Sequence, residues 1–127
     1  MAKVLIIEDN QQVAEIERLA LEEHSHQVQV AGDGPSGVLA ARRMQPDVIV
    51  LDVALPLFDG NAVLFGLDLN PSLRQVAVVV VTGNVAQLEA AQRQRVAAIL
   101  QKPFDIDAFL QAVEQAAEAL FHNGQAK

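Results

Sequence analysis

Five polar residues stand within two positions after the ends of short apolar runs in the sequence. Glu8 and Asp9 follow the first run, Asp52 follows the third, Thr82 follows the fourth, and Lys102 stands two residues after the fifth. If the runs are parallel strands, their carboxyl ends meet at one edge of a sheet, where open α/β proteins bind their ligands. The spacing therefore predicts three carboxylates, one hydroxyl and one ammonium in a single cluster.

Such a cluster suits phosphoryl transfer assisted by a divalent cation. Neighbouring carboxylates repel one another and require a compensating cation, and carboxylate oxygens are suitable ligands for Mg²⁺. Asp52 beside the metal would be a nucleophile toward phosphorus, as in proteins that form an aspartyl phosphate. Mg²⁺ and the Lys102 ammonium would neutralise charge on the phosphoryl group, and the Thr82 hydroxyl would donate to one of its oxygens.

Each of these residues, taken alone, also has a purely structural explanation. Asp9 could cap the helix that follows it, and Asp52 could cap a turn. Thr82 is an ordinary strand residue, and Lys102 before Pro103 could simply mark the end of a strand. The functional interpretation rests on their occurring together, in one order along the chain.

Five strands would position these residues. Three of the apolar runs are continuous and rich in Val and Ile, as expected of parallel strands covered on both faces. The second run alternates apolar and polar residues, which predicts an edge strand. The five runs are Val4–Ile7, Val28–Val30, Val48–Leu51, Val76–Val81 and Ala98–Leu100.

Amphipathic helices are predicted between the strands and after the last one. From Ile106 to Phe121 apolar residues recur every three or four positions, and Asn123-Gly124 would end this helix. Strands that alternate with helices predict an α/β fold with a parallel sheet and right-handed crossovers. The other helices are predicted around Val13, Ile16 and Ala20, from Pro35, over Asn61–Leu69 and over Val85–Arg93.

The composition indicates one cytoplasmic domain and excludes several classes of protein. The chain has 127 residues, of which 51% are hydrophobic and 20% charged, enough for a core of its own. A net charge of -7 offers no general attraction to nucleic acid or to an anionic membrane, and no apolar run could span a bilayer. The absence of Cys excludes disulfides, thiolate metal sites and a cysteine nucleophile. We expect the domain over residues 1–122 and a tail over 123–127.

Four motifs occur in order along the chain, namely Leu5-Ile6-Ile7-Glu8-Asp9, Leu51-Asp52-Val53-Ala54-Leu55-Pro56 with Asp59-Gly60, Val81-Thr82-Gly83, and Lys102-Pro103-Phe104. Together they resemble the response-regulator receiver domain, the CheY-like family of two-component signalling, over essentially the whole chain. The resemblance implies a flavodoxin-like, doubly wound sheet of five strands in the order 2-1-3-4-5, with five helices.

The resemblance implies a phosphoryl-acceptor site at the end of the first and third strands. Asp52 matches the phosphoacceptor, which receives its phosphate from a sensor histidine kinase or a histidine phosphotransfer protein. Glu8 and Asp9 match the acidic pair that holds Mg²⁺, with Asp52 and the backbone carbonyl of Ala54 as further ligands. Mg²⁺ is therefore the expected cofactor.

The resemblance also implies a switch. Thr82 matches the hydroxyl that turns toward the phosphoryl group, and Lys102 matches the lysine that pairs with it. The surface that changes would consist of the fourth helix, fifth strand and fifth helix. A downstream protein target or a missing output domain would recognise it, and a dimer that forms on phosphorylation is left open. Pro56, Gly60, Gly83 and Pro103 match supporting positions, and the bond before Pro103 is expected to be cis.

Two departures from the family pattern concern the output and leave the chemistry intact. Ile99 stands where receivers usually have Tyr or Phe, so the aromatic rotamer change that accompanies the switch threonine cannot occur. The stretch from Thr82 to Lys102 is also shorter than usual. These departures keep a second hypothesis open, a pseudo-receiver that binds proteins and signals without phosphorylation.

Enzymes on similar folds fit the residues less well. A flavodoxin needs a loop rich in Gly, Ser and Thr after the first strand, whereas Glu8-Asp9-Asn10-Gln11 would repel phosphate without a metal. A phosphatase of the haloacid dehalogenase type needs a second Asp where Ala54 stands, and no Gly-rich Walker loop is present. We expect only self-phosphorylation and self-dephosphorylation. His24, His26 and His122 lie away from the strand ends and are predicted on the surface.

Overall fold

Five parallel strands form the centre of the molecule. The computed structural model describes residues 1–57 and 59–125, with side chains up to residue 119. The strands are β1 (Lys3–Ile7), β2 (Gln27–Ala31), β3 (Val48–Leu51), β4 (Ala77–Thr82) and β5 (Ala98–Gln101). Their order in the sheet is β2-β1-β3-β4-β5, which confirms the predicted fold class and the position of the alternating second strand at an edge.

Helices cover both faces of the sheet. They are α1 (Gln11–Glu23), α2 (Gly34–Met44), α3 (Gly60–Asp68), α4 (Ala90–Arg93) and α5 (Ile106–Gln125). One apolar cluster joins the sheet to α2 and α3, and a second joins it to α1 and α5. Two 3-10 turns, Pro71–Leu73 and Val85–Gln87, complete the connections.

Polar side chains begin the first three helices by binding free backbone N–H groups. Asn10 accepts from the N–H groups of Gln12 and Val13, at 3.0 and 3.1 Å. Asp33 begins α2 and Asp59 begins α3 in the same way. Since Asn10 caps α1, Asp9 is not needed as a cap, contrary to its structural explanation.

The strand register brings the site residues to one edge of the sheet. Ile7 on β1 pairs with Leu51 on β3, so the residues that follow them, Glu8 and Asp52, are neighbours. At the other side of the sheet Thr82 pairs with Gln101, and the backbone N–H of Lys102 donates to the Thr82 carbonyl at 2.9 Å.

The region before β5 differs from its prediction. Instead of one helix over Val85–Arg93, it contains the 3-10 turn and the single helical turn of α4. Leu88 separates them in extended backbone and is 1% exposed. Leu88 packs in the core between the two turns, and its extended backbone interrupts the helix.

Two further predictions about side chains are wrong. Ile16 is 51% exposed, because α1 faces the core with Ala14, Glu17, Ala20 and Leu21 instead. His26 is buried and its Nδ1 accepts from the Ala2 N–H, whereas His24 is exposed as predicted.

The end of the chain is described only in part. Helix α5 continues to Gln125, past the expected stop at Asn123-Gly124. The side chains of Phe121 and His122 and the final residues 126–127 of the predicted tail lie outside the described residues. Within the described part of the chain, no helix combines the length and apolarity that crossing a membrane requires.

Candidate functional site

Three carboxylates meet at the carboxyl ends of β1 and β3. Oxygen atoms of Glu8, Asp9 and Asp52 all lie within 4.8 Å of one another. Glu8 and Asp52 are 3% and 5% exposed, whereas Asp9 is open to solvent. Two carboxylates of the cluster are therefore buried, and the third is accessible to solvent.

The ammonium of Lys102 joins the two buried carboxylates. Its Nζ lies 2.7 Å from Glu8 Oε1 and 2.9 Å from Asp52 Oδ2. The lysine reaches this position from the end of β5, where the peptide bond to Pro103 is cis as expected. One cation thus offsets charge on residues from two other strands.

Backbone N–H groups bind the remaining oxygens of the two buried carboxylates. Asn10 donates to Glu8 Oε2 at 3.1 Å, and Ala54 donates to Asp52 Oδ1 at 3.0 Å. Both oxygens of each carboxylate are therefore hydrogen-bonded, so Glu8 and Asp52 are held in fixed orientations.

Burial and pairing act in opposite directions on these groups. Burial raises the pKa of Glu8 above its ordinary value of 4.5, and the hydrogen bond from Lys102 offsets this only in part. For Lys102, burial lowers the pKa, but the hydrogen bonds to Glu8 and Asp52 outweigh it, so the pKa is raised above 10.5. Lys102 is a stable cation in this site.

Thr82 lies at the same edge of the sheet but outside this hydrogen-bonded group. It is fully buried, and its Oγ1 accepts from the Asn84 N–H at 3.2 Å. Gly83, next to it, is exposed and has nothing within 4 Å of where a Cβ would stand. The hydroxyl oxygen therefore accepts one local hydrogen bond, and the hydroxyl's own hydrogen can be donated to another acceptor.

A close backbone contact supports the loop after Asp52. The N–H of Gly60 donates to the Val53 carbonyl at 2.8 Å, and a Cβ on Gly60 would lie 2.7 Å from the Val53 Cα. Only glycine fits there. Pro56, the other predicted supporting residue of this loop, is exposed.

The family model of the response regulator receiver domain matches residues 4–114 of the chain. This range contains the three carboxylates, Thr82 and Lys102. The chain belongs to the response regulator receiver family. It is a receiver domain of two-component signalling.

Curated relatives of this receiver differ in how much of their length it covers. It is 31% identical to protein PilH of Pseudomonas aeruginosa, over 89% of this chain and 95% of PilH. It is 31% identical to the DNA-binding dual master transcriptional regulator RpaA of Synechocystis, over 89% of this chain and 48% of that protein. It is 45% identical to TcrX of Mycobacterium tuberculosis, over 55% of this chain but only 30% of TcrX.

Solved structures share the receiver fold at low sequence identity. A CheY-like response regulator receiver domain protein from Methanospirillum hungatei has a TM-score of 0.86 and 17% identity, covering 97% of this chain and 98% of that one. A sensor protein from Polaromonas has a TM-score of 0.85 and 23% identity, over 93% and 97% of the two chains. These similarities concern the fold alone.

The donor set of the receiver fits Mg²⁺. Carboxylate oxygens are the hard ligands that this ion prefers, and an exposed carboxylate beside two buried ones leaves room for its bound waters. Glu8, Asp9 and Asp52 would hold the ion. Ala54 uses its N–H to orient Asp52, and its carbonyl as a further ligand stays a prediction.

Ile99 occupies the altered aromatic position on β5. It is partly buried and packs against the apolar cluster of α2 and α3. A branched aliphatic side chain in this place has no ring to rotate and no hydroxyl to expose.

Two polar residues near the site were not singled out from the sequence. Glu17 is buried on α1, in the stripe that the apolar pattern assigns to the core. A Glu four residues after Val13 and three before Ala20 is the signal that could have revealed it. Asn61 on α3 is buried and hydrogen-bonded to the segment before α4, and no local pattern indicates that contact.

Proposed function

We propose that this receiver accepts a phosphoryl group on Asp52, with Mg²⁺, from a sensor histidine kinase or a histidine phosphotransfer protein in the cytoplasm. One observation carries the proposal: the Asp52 carboxylate is oriented by Ala54 and Lys102 inside a cluster of three carboxylates. A nucleophile, a cation and a metal-ligating pair are thus within reach of one phosphorus atom.

The transfer exchanges one bond to phosphorus for another. An Asp52 oxygen forms the new O–P bond while the N–P bond to the donor histidine breaks, and the imidazole keeps the electron pair. Lys102 is already 2.9 Å from Asp52 Oδ2, so its ammonium can follow the developing charge onto the phosphoryl oxygens.

Mg²⁺, when bound, supplies positive charge to the carboxylates and to the transferring group. Glu8 and Asp9 would hold it. The protein contributes orientation and charge and needs no general base, because a carboxylate is already the nucleophilic form. We propose no catalysis beyond self-phosphorylation and self-dephosphorylation.

Phosphorylation converts the Asp52 carboxylate into an acyl phosphate that carries roughly two negative charges, beside the carboxylates of Glu8 and Asp9. The Thr82 hydroxyl, whose partner is the Asn84 N–H at 3.2 Å, would turn to donate to a phosphoryl oxygen. Its movement would carry the segment between β4 and β5, and with it the face of α4, β5 and α5. A downstream protein or an output domain would read that face.

Intact-mass spectrometry after incubation with Mg²⁺ and acetyl phosphate tests the proposal. We expect one phosphoryl adduct on the wild-type protein and none without Mg²⁺ or in Asp52→Asn. Asp107→Asn is the matched control, because Asp107 is an exposed aspartate on α5 that does not belong to the acidic cluster, and this variant should be modified as the wild type is.

Absence of an adduct on folded protein with Mg²⁺ present would overturn the proposal. It would favour the pseudo-receiver, for which Ile99 and the single turn of α4 are the supporting observations. An adduct that persists in Asp52→Asn would place the modification on another residue and would also contradict the proposal.

A further inference from the structure

Glu17 is a buried carboxyl group that the proposed chemistry does not use. It is 1% exposed, and neither carboxyl oxygen has a hydrogen-bond partner among the residues that the structure describes. Buried polar side chains are nearly always hydrogen-bonded, so this group requires an explanation.

The other buried residues of α1 are apolar. Glu17 lies in the same buried stripe as Ala14, Ala20 and Leu21. That stripe belongs to the cluster in which α5 contributes Phe109 and Val113. An ionised carboxylate without partners is costly in such a place, so the group is carried as the neutral acid.

Charged groups of the acidic site act on Glu17 from the ends of three strands. Glu8 and Asp52 oppose its ionisation and Lys102 favours it, and burial exceeds all three effects. Strand β2, which contacts α1, has no titratable residue, and His26 before it accepts from Ala2 and lies 3.6 Å from Glu114. The acidic residues of α5 whose side chains the structure describes are all exposed, namely Asp107, Glu114 and Glu118.

We propose that Glu17 makes this receiver respond to pH. As the neutral acid, Glu17 completes the packing of α1 against α5. Its ionisation weakens this packing and adds a fourth negative charge near the acceptor site. The effect on packing is independent of phosphorylation. The effect of the added charge deepens the proposed function and rests on it.

The direction of the pH dependence follows from the raised pKa. Burial raises the pKa of Glu17 from 4.5 to about 8, and Glu8 adds to the shift. Between these values the folded protein holds a proton that the unfolded chain has lost, so stability falls as pH rises and then levels off above the folded pKa. The unfolding equilibrium constant should rise up to about tenfold per pH unit in this window.

Urea unfolding between about pH 5 and pH 9 tests the packing effect. Glu17→Gln keeps the size of the side chain and removes its titration, so the pH dependence of its stability should be flatter than that of the wild type. Glu23→Gln is the matched control, an exposed glutamate on the same helix, and should retain the wild-type dependence. Equal pH dependence in wild type and Glu17→Gln would overturn the proposal.

Two further measurements keep the test decisive. Carboxyl ¹³C NMR on the wild-type protein should show one glutamate titrating near pH 8, and titration of every glutamate near the ordinary value would overturn the proposal even if Glu17→Gln does not fold. At saturating Mg²⁺, the phosphorylation rate of the wild type divided by that of Glu17→Gln should fall several-fold as the pH rises above 8. If no adduct forms on either protein, the proposed function fails while the stability result still decides the role of Glu17.

Discussion

The side-chain oxygen of Asn61 accepts a hydrogen bond from the backbone N–H of Glu89 at 2.9 Å. Its amide nitrogen donates to the Gln87 carbonyl, also at 2.9 Å. Asn61 stands in the first turn of α3, directly after the loop that follows Asp52. The acceptor loop and the segment after Thr82 are therefore joined through one side chain.

Asn61→Ala should loosen the segment before α4. It leaves the Glu89 N–H without its partner, which should lower the free energy of unfolding by about 1–3 kcal/mol. Hydrogen exchange should accelerate at Glu89. Gln94→Ala, at an exposed residue after α4 with no described side-chain hydrogen bond, should change neither quantity. Unaltered exchange at Glu89 in Asn61→Ala would contradict the assigned contact.

Gly60→Ala should destabilise the loop that follows the phosphoacceptor. Its Cβ would stand 2.7 Å from the Val53 Cα and 3.1 Å from the Asp52 carbonyl oxygen, and backbone cannot yield cheaply there. Urea unfolding should show a loss of about 1–3 kcal/mol. Gly83→Ala, which meets nothing within 4 Å, should stay within about 0.5 kcal/mol of the wild type. Equal effects of the two substitutions would refute the close approach at Gly60.

Lys102→Met should destabilise the protein at neutral pH, because Glu8 and Asp52 then lose their shared cation. The loss should be about 1–3 kcal/mol at pH 7. It should shrink at acid pH, where the Glu8 carboxylate, whose pKa is raised by burial, takes up a proton. Because pairing raises the pKa of Lys102, the lysine itself stays charged at neutral and acid pH, and its own titration removes the contribution only as the pH rises above 10.5 through the higher folded value.

Urea unfolding of Lys102→Met at neutral and acid pH measures this difference. Lys3→Met is the control, since Lys3 is exposed and its side-chain ammonium donates to a backbone carbonyl, that of Met44, rather than to a carboxylate. A loss in Lys102→Met that is as large at acid pH as at neutral pH would show that packing of the lysine stem matters more than its charge.

Leu57→Gly should stabilise the receiver although it removes an apolar side chain. Leu57 is 85% exposed and has a φ of 73°, in the left-handed region that is unfavourable for residues with a Cβ. Relief of this strain should raise the free energy of unfolding by about 0.5–1 kcal/mol, net of the larger chain entropy of glycine. Leu57→Ala retains the Cβ, so thermal unfolding should show no comparable gain for it.

The fold and the cluster of site residues were accessible from the sequence because both depend on local signals. Continuous Val and Ile runs marked the buried strands, and the residue after each run marked the edge where Glu8, Asp52 and Lys102 meet. The burial of Glu17 was not predicted, because predicting it requires knowing which face of α1 is buried, and the apolar Ile16 indicated a different face. Asn61 and Leu88 act through contacts between distant segments, which no pattern within one helix or strand reveals.

The single turn of α4 has a thermodynamic consequence for the segment between β4 and β5. Four helical residues are too few to form a stable helix by themselves. The order of the segment comes instead from Leu88 in the core, from Asn61, and from Arg95, whose guanidinium binds Asp68 and the carbonyls of Leu73 and Val76. Local unfolding there costs little beyond these contacts. If phosphorylation acts through this segment as proposed, a change in the order of the segment would contribute conformational entropy to the switch.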